Sequence, residues 1–186
     1  MSKSTMKQAN VRFNYQDYLR LPEDRRYEIL DGELYLVPAP NIKHQRVAIR
    51  LQNALFMYVQ SHDLGELLAA PCDVLLSDEN VVQPDILFIS KGRLDVMGSA
   101  YVSAGPDLVV EILSPGTWQK DLELKRKIYA RFEVREYWIV DPDADTVEIL
   151  IRQEGDYISA ATCHKSDSLS SPLLPGLDLR LSEVFP

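Results

Sequence analysis

LVVEIL, residues 108–113, decides how the rest of the chain is read. Five of its six side chains are apolar and do not alternate with polar ones. That is the pattern of a central strand covered on both faces. Glu111 breaks it, because a carboxylate is costly to bury without a partner. Downstream, a helix over about 119–132 and a strand at 137–140 follow in order, which predicts a right-handed crossover joining a parallel pair. Upstream, VVQPDILFI (81–89) holds a second apolar strand, expected over 82–89 and interrupted by Pro84-Asp85. Proline cannot donate to a ladder, so an edge, a bulge or a strand end is expected there. Such a break can turn the next side chain, Asp85, out of the regular pleat.

The remaining elements follow from local signals. YEILDGELYLV (27–37) predicts a hairpin with strands at 27–31 and 33–37 and its turn at Asp31-Gly32. Asn14 can cap a short helix over 15–21, ended by Pro22. Asn41 can cap a longer one over about 43–61, where Val47, Leu51, Leu55, Tyr58 and Val59 recur at helical spacing. A strand at 66–76 precedes the turn Ser77-Asp78-Glu79-Asn80, and Ser114-Pro115-Gly116-Thr117 ends the central strand. A hairpin at 146–152 and 157–163 and a looser tail complete the chain. The expected architecture is α/β: one central mixed sheet flanked by helices, with an N-terminal β-hairpin. A flexible segment, 1–12, precedes a single domain over 13–186.

Composition narrows the function classes. The 186 residues are 46% hydrophobic and 26% charged, ordinary for a globular protein with a core. No apolar run approaches the roughly 20 residues of a membrane span, and no signal-peptide stretch opens the chain, so a cytoplasmic protein is expected. Two distant cysteines, Cys72 and Cys163, read as buried or half-buried thiols, and three scattered histidines lack zinc-ligand spacing. The net charge of −8 argues against non-specific coating of nucleic acid, while leaving room for one local basic face.

Lys125 is a third exception beside Asp85 and Glu111. It lies three residues after Leu122 and four before Tyr129, within the apolar stripe of its helix, so it should face the sheet. A core-facing lysine needs an anionic neighbour. Glu111 and Asp85 are the candidates, with Asp121 as an i,i+4 competitor. Lys120, Arg126, Lys127 and Arg131 point to solvent, where they serve solubility or guide a nucleic-acid backbone. Two carboxylates on neighbouring strands, with the backbone carbonyl of Ile112, make an oxygen-rich site suited to Mg²⁺ or Mn²⁺. Such an ion would activate a water beside Lys125 for attack on a phosphodiester. Blander roles compete: a turn carboxylate for Asp85, an arginine partner for Glu111, a snorkelling stem for Lys125. His44 opens the long helix and reads as a solvated or capping histidine more than as a base or phosphate contact, and Tyr137 and Trp138 read as core.

Four blocks of the sequence resemble one family. Pro84-Asp85 followed by Glu111 is similar to the acidic pair of the PD-(D/E)XK nuclease superfamily. YEILDGE (27–33), PDLVVEILSP (106–115), EYWIVDP (136–142) and LPGL (174–177) look like its Uma2 branch, the former DUF820 group. The resemblance runs from about residue 13 to the end. It implies a restriction-endonuclease-like core and Mg²⁺-dependent hydrolysis of nucleic acid, DNA above all, with Asp85 and Glu111 as ligands. The superfamily's lysine would fall two residues after the glutamate, where this chain has Leu113. In the Uma2 pattern it has moved to the next helix, and Lys125 matches that place. Glu28 resembles the family's additional N-terminal acid, which binds a second metal or orients water. A homodimer is implied by related folds that cut two strands. The rival reading is a non-catalytic module that keeps the fold to bind nucleic acid or protein.

Overall fold

Two prolines move the chain from one sheet to another. The computed structural model describes residues 11–114 and 118–186, with side chains described outside 118–121. In chain order the elements begin with α1 (Tyr15–Tyr18), β1 (Arg26–Leu30), β2 (Glu33–Val37) and α2 (Ile42–Ser61). Next come β3 (Gly65–Ala69), β4 (Val74–Ser77), β5 (Asn80–Val82), β6 (Ile86–Ser90) and β7 (Leu108–Ile112). They close with α3 (Trp118–Arg131), β8 (Glu136–Asp141), β9 (Thr146–Gln153), β10 (Asp156–His164), β11 (Ser168–Leu169), β12 (Leu179–Arg180) and α4 (Leu181–Val184).

The central sheet has six strands in the order β10-β9-β8-β7-β6-β3. It is mixed: β7 and β8 are parallel across the α3 crossover, and the other neighbours are antiparallel. Here the strand–helix–strand expectation holds. A second, four-stranded sheet, β2-β1-β5-β4, corrects the expectation of one sheet alone. The single strand expected at 66–76 is two, β3 and β4, in different sheets, with Pro71 between them. The strand expected at 82–89 likewise divides into β5 and β6 around Gln83-Pro84-Asp85. A proline withholds a ladder donor, so each break is a place where pairing can change partners.

The hairpin forms where Asp31-Gly32 demands it. Both turn residues have positive φ, 48° and 76°, and Leu30 pairs with Glu33 across a two-residue loop. Two cores cover the central sheet. Val47, Leu51, Leu55 and Val59 of α2 meet Phe88, Val110 and Trp138 on one face. On the other, Ile128 and Tyr129 of α3 meet Leu87, Val109 and Tyr137, joined by Leu30 and Val82 of the second sheet. The tail is better ordered than expected, since β11 pairs with β12 while Leu174, Leu177, Val184 and Phe185 enter the α2-side core. Short elements carry no readable period, which is why sequence pattern alone misses them.

Of the N-terminal segment expected to be flexible, residues 1–10 lie outside the described residues. Arg12 bonds to Glu79, and the Phe13 N–H donates to the Gly32 carbonyl. The break expected at 115–117 and the Asp121–Lys125 pairing also lie outside them. Among the described residues no helix is long and apolar enough to cross a membrane.

Candidate active site

The site lies where β7 ends and β6 begins. Leu108, Val110 and Ile112 point to the α2 side, so alternation sends Glu111 to the α3 side with Val109. There Glu111 Oε1 accepts a hydrogen bond from Lys125 Nζ at 3.0 Å and another from the Tyr129 hydroxyl at 2.6 Å. Lys125 Nζ also donates to Glu28 Oε1 at 2.9 Å, and that oxygen accepts the Gln83 N–H at 2.8 Å. Lys125 therefore bridges two acids from different sheets, and its side chain is 11% exposed.

Asp85 stands at the sheet switch. The β6–β7 register runs Phe88↔Leu108 and Ile86↔Val110, so two further residues would set Pro84 opposite Ile112. Proline has no N–H to give, and the chain departs there. The Ile112 N–H donates instead to Asp85 Oδ2 at 2.8 Å. In a strand the N–H and C=O of one residue face the same edge, so the Ile112 carbonyl turns toward this gap as well. Pro84 thus frees the carbonyl that was expected as a ligand.

His44 corrects the reading that left it solvated or capping. It is 6% exposed, and its Nε2 lies 3.2 Å from Asp85 Oδ2. Its Nδ1 is buried with no hydrogen-bond partner among the described residues. The capping is done by Asn41, whose side chain accepts the His44 N–H. The signal was present: His44 precedes Val47 and Leu51 by three and seven residues, on the buried stripe of α2. Tyr129 was seen as part of an apolar stripe, and its hydroxyl's role was not. Gln83 was missed; it ties the switch together through Arg26, Tyr18 and Asp73.

Electrostatics follow from burial and these contacts. Burial pushes the Glu111 carboxyl up to about 7; Lys125 pulls it back, while Glu28 and Asp85 push the same way as burial. Burial works against the Lys125 ammonium, but Glu111 and Glu28 outweigh it and hold its pKa above the ordinary 10.5. Lys125 is a fixed cation in this site. Burial, with the Glu111 charge behind it, also raises the Tyr129 hydroxyl well above its usual value, so it stays a donor.

Glu28, Asp85, Glu111, Lys125 and His44 line one cavity of about 250 Å³, together with Arg26. All four side chains expected to carry the chemistry are brought together. Among the described residues, the hydrogen bonds to Asp85 and Glu111 converge on one oxygen of each. No group of three or more His, Cys, Asp or Glu among those residues is arranged to hold a metal. The donor set is of the two-carboxylate kind, which suits an ion that keeps most of its waters.

Comparisons with known proteins bear on the fold and the family. An uncharacterized protein of Synechocystis sp. is 24% identical over 150 residues, covering 77% of this chain and 76% of its own. The crystal structure of "a putative nuclease belonging to DUF820" from Anabaena variabilis superposes with a TM-score of 0.76. It is 20% identical, with 93% of this chain and 97% of that one covered, and it bears on the fold. The Uma2 family model, described as "Putative restriction endonuclease", matches residues 15–182. The chain belongs to the Uma2 family.

Proposed function

We propose that this chain is a metal-dependent endonuclease-like hydrolase of the PD-(D/E)XK kind, cleaving phosphodiester bonds of nucleic acid, DNA in the first place. The observation that carries the reading is the convergence of Asp85, Glu111, Glu28 and Lys125 on one cavity at the carboxyl end of β7. Family membership supports the same reaction class.

Asp85 and Glu111 would hold Mg²⁺ or Mn²⁺, with the Ile112 carbonyl as third donor. Bound there, a divalent cation would supply a Lewis acid for the scissile phosphate and a water of lowered pKa. The chain's own groups do the rest. The Ile112 N–H fixes the direction of the Asp85 carboxylate. Tyr129 holds one oxygen of Glu111. Lys125 presents its charge to the cavity, where it can orient a nucleophile or steady a phosphate oxygen. Glu28 holds that ammonium in place, so its role is positioning. A cut through both strands of a duplex would take two such sites, and a homodimer belongs to the proposal.

The test is nicking of supercoiled DNA by purified protein with Mg²⁺, Mn²⁺ or chelator. Cleavage should need the ion and disappear in Asp85→Asn and Glu111→Gln variants that retain wild-type circular dichroism. Cleavage surviving both substitutions would reject the assignment. A folded wild-type protein that neither cleaves nucleic acid nor binds the ions would mark a non-catalytic module.

A further inference from the structure

The two long cations that line the cavity are held differently. Lys125 is bridged between Glu28 and Glu111. Arg26 lines the same cavity beside the same acids, yet among the described residues it pairs with no carboxylate. Its Nε–H donates to Gln83 Oε1 at 2.8 Å, and its Nη2 lies 3.4 Å from the Gln83 carbonyl oxygen. A guanidinium carries more N–H donors than those two contacts use. If Arg26 served only to balance the cavity's acids, it would close on one of them. It is turned to Gln83 instead.

The group that holds Arg26 is uncharged, and its direction is fixed from behind. The Gln83 amide nitrogen donates to Asp73 Oδ1 at 2.6 Å and to the Tyr18 hydroxyl at 2.9 Å. That hydroxyl donates to the same Asp73 oxygen at 2.8 Å. Asp73 therefore takes the amide nitrogen, and the amide oxygen is left for the arginine. A glutamate at position 83 would hold the guanidinium and cancel its charge. The amide holds it and leaves the charge for an anion from outside. Position matters as well. Arg26 and Glu28, two residues apart on β1, share one face of the strand. Gln83 stands two residues before Asp85, at most about 7 Å of chain. The guanidinium is thus set beside the proposed reaction centre, where a neighbouring phosphate of a bound strand would lie.

We propose that Arg26 is a substrate-anchoring residue, binding a phosphate that flanks the scissile one on the nucleic-acid strand. The anchor rests on the nuclease reading for the identity of its anion. A planar guanidinium engages phosphate oxygens in pairs, which a lysine cannot do. The contact is to phosphate and not to base, so it supplies hold and register without sequence preference.

Binding of a fluorescent 20-base-pair DNA duplex across a salt series, in Ca²⁺ and in chelator, tests the anchor. Arg26→Gln should lower the slope of log affinity against log salt by roughly 0.9, the value of one phosphate contact, and weaken binding about ten-fold or more at 0.1 M salt. Arg26→Lys keeps the charge, so it should restore the slope and only part of the affinity. Lys91→Gln removes an exposed charge, paired with Asp63, beyond the other end of β6 and should leave both unchanged. With Mg²⁺, Arg26→Gln should raise KM for nicking while kcat changes less. Wild-type affinity and slope in Arg26→Gln overturn the proposal, as does a wild-type protein that binds DNA in neither condition. A drop in urea midpoint with DNA binding untouched also overturns it, and assigns Arg26 to the packing around Gln83 alone. DNA held through Arg26 but never cut with Mg²⁺ or Mn²⁺ sinks the nuclease reading and leaves the anchor. Metal-dependent cleavage with KM and affinity indifferent to Arg26 does the reverse.

Discussion

Lys125→Met removes the cation from between Glu28 and Glu111 while keeping an unbranched stem of similar reach. The bridged carboxylate side chains are 6% and 12% exposed, so water does little to replace the lost ammonium. Breaking a buried pair by deleting one partner costs about 3–5 kcal/mol. Against the roughly 5–15 kcal/mol that holds a domain together, the loss is about a fifth or more. At about 2–4 °C per kcal/mol for a chain of this size, Tm should fall by roughly 6–20 °C. Urea and thermal unfolding in chelator at neutral pH measure it. Glu28→Gln supplies the control, because its amide oxygen can still accept the Gln83 N–H while the charge is gone. In the Lys125→Met background that substitution should cost less than in wild type, with a coupling of about 1–3 kcal/mol. A Lys125→Met variant within about 1 kcal/mol of wild type, or a strictly additive double variant, refutes the bridged-acid account of the site.

Tyr129→Phe deletes the hydroxyl that donates to Glu111 at 2.6 Å and should cost about 1.5–3 kcal/mol, read by urea unfolding. Asp107 gives a pH signature: burial alone would raise its carboxyl, but the Ser90 N–H and Arg93 outweigh burial and hold it below 3.8. A depressed folded pKa contributes stability above the unfolded value that is lost as pH falls below it. Asp107→Asn should therefore flatten the acid limb of the urea midpoint against pH; an unchanged limb would refute this. Gly65→Ala places a Cβ 2.1 Å from the Ile89 carbonyl oxygen at φ +148°, so a loss of at least about 1–3 kcal/mol should appear in thermal melts.

What could be read in advance depended on the range of the interaction. The Asp31-Gly32 turn, the Asn41 cap and the apolar run of β7 are local signals, and the elements stand within a residue or two of expectation. Glu111 and Lys125 were legible because each broke a pattern that its neighbours kept. The second sheet was not, because apolar content in 66–76 and 82–89 does not say which partner strand is taken. Pro84 was noticed and Pro71 was not, yet both mark transfers between sheets. His44 was judged by residue type when its spacing to Val47 and Leu51 already placed it on the buried stripe. The hydroxyl of Tyr129 and the amide of Gln83 found their partners through tertiary contacts that no local pattern encodes.

The proline at position 84 links fold to proposed chemistry more closely than any acid does. A residue with an N–H there could extend β6 by pairing with Ile112, and the ladder would then occupy both backbone groups of Ile112. Asp85 would lose the N–H that now fixes its carboxylate. With proline, the ladder stops, the Ile112 N–H is given to Asp85, and the Ile112 carbonyl is left without the ladder donor that a residue with an N–H would bring. Charge makes the same point. Glu28, Asp85 and Glu111 bring three negative charges when ionised, and Lys125 and Arg26 return two, which leaves one beside the cavity. On α3, Arg126 and Arg131 pair with Asp156 and Asp31. A second buried lysine would offset that excess but fill the space. On the proposed reading a dication would more than offset it and leave the space open for an anionic phosphate.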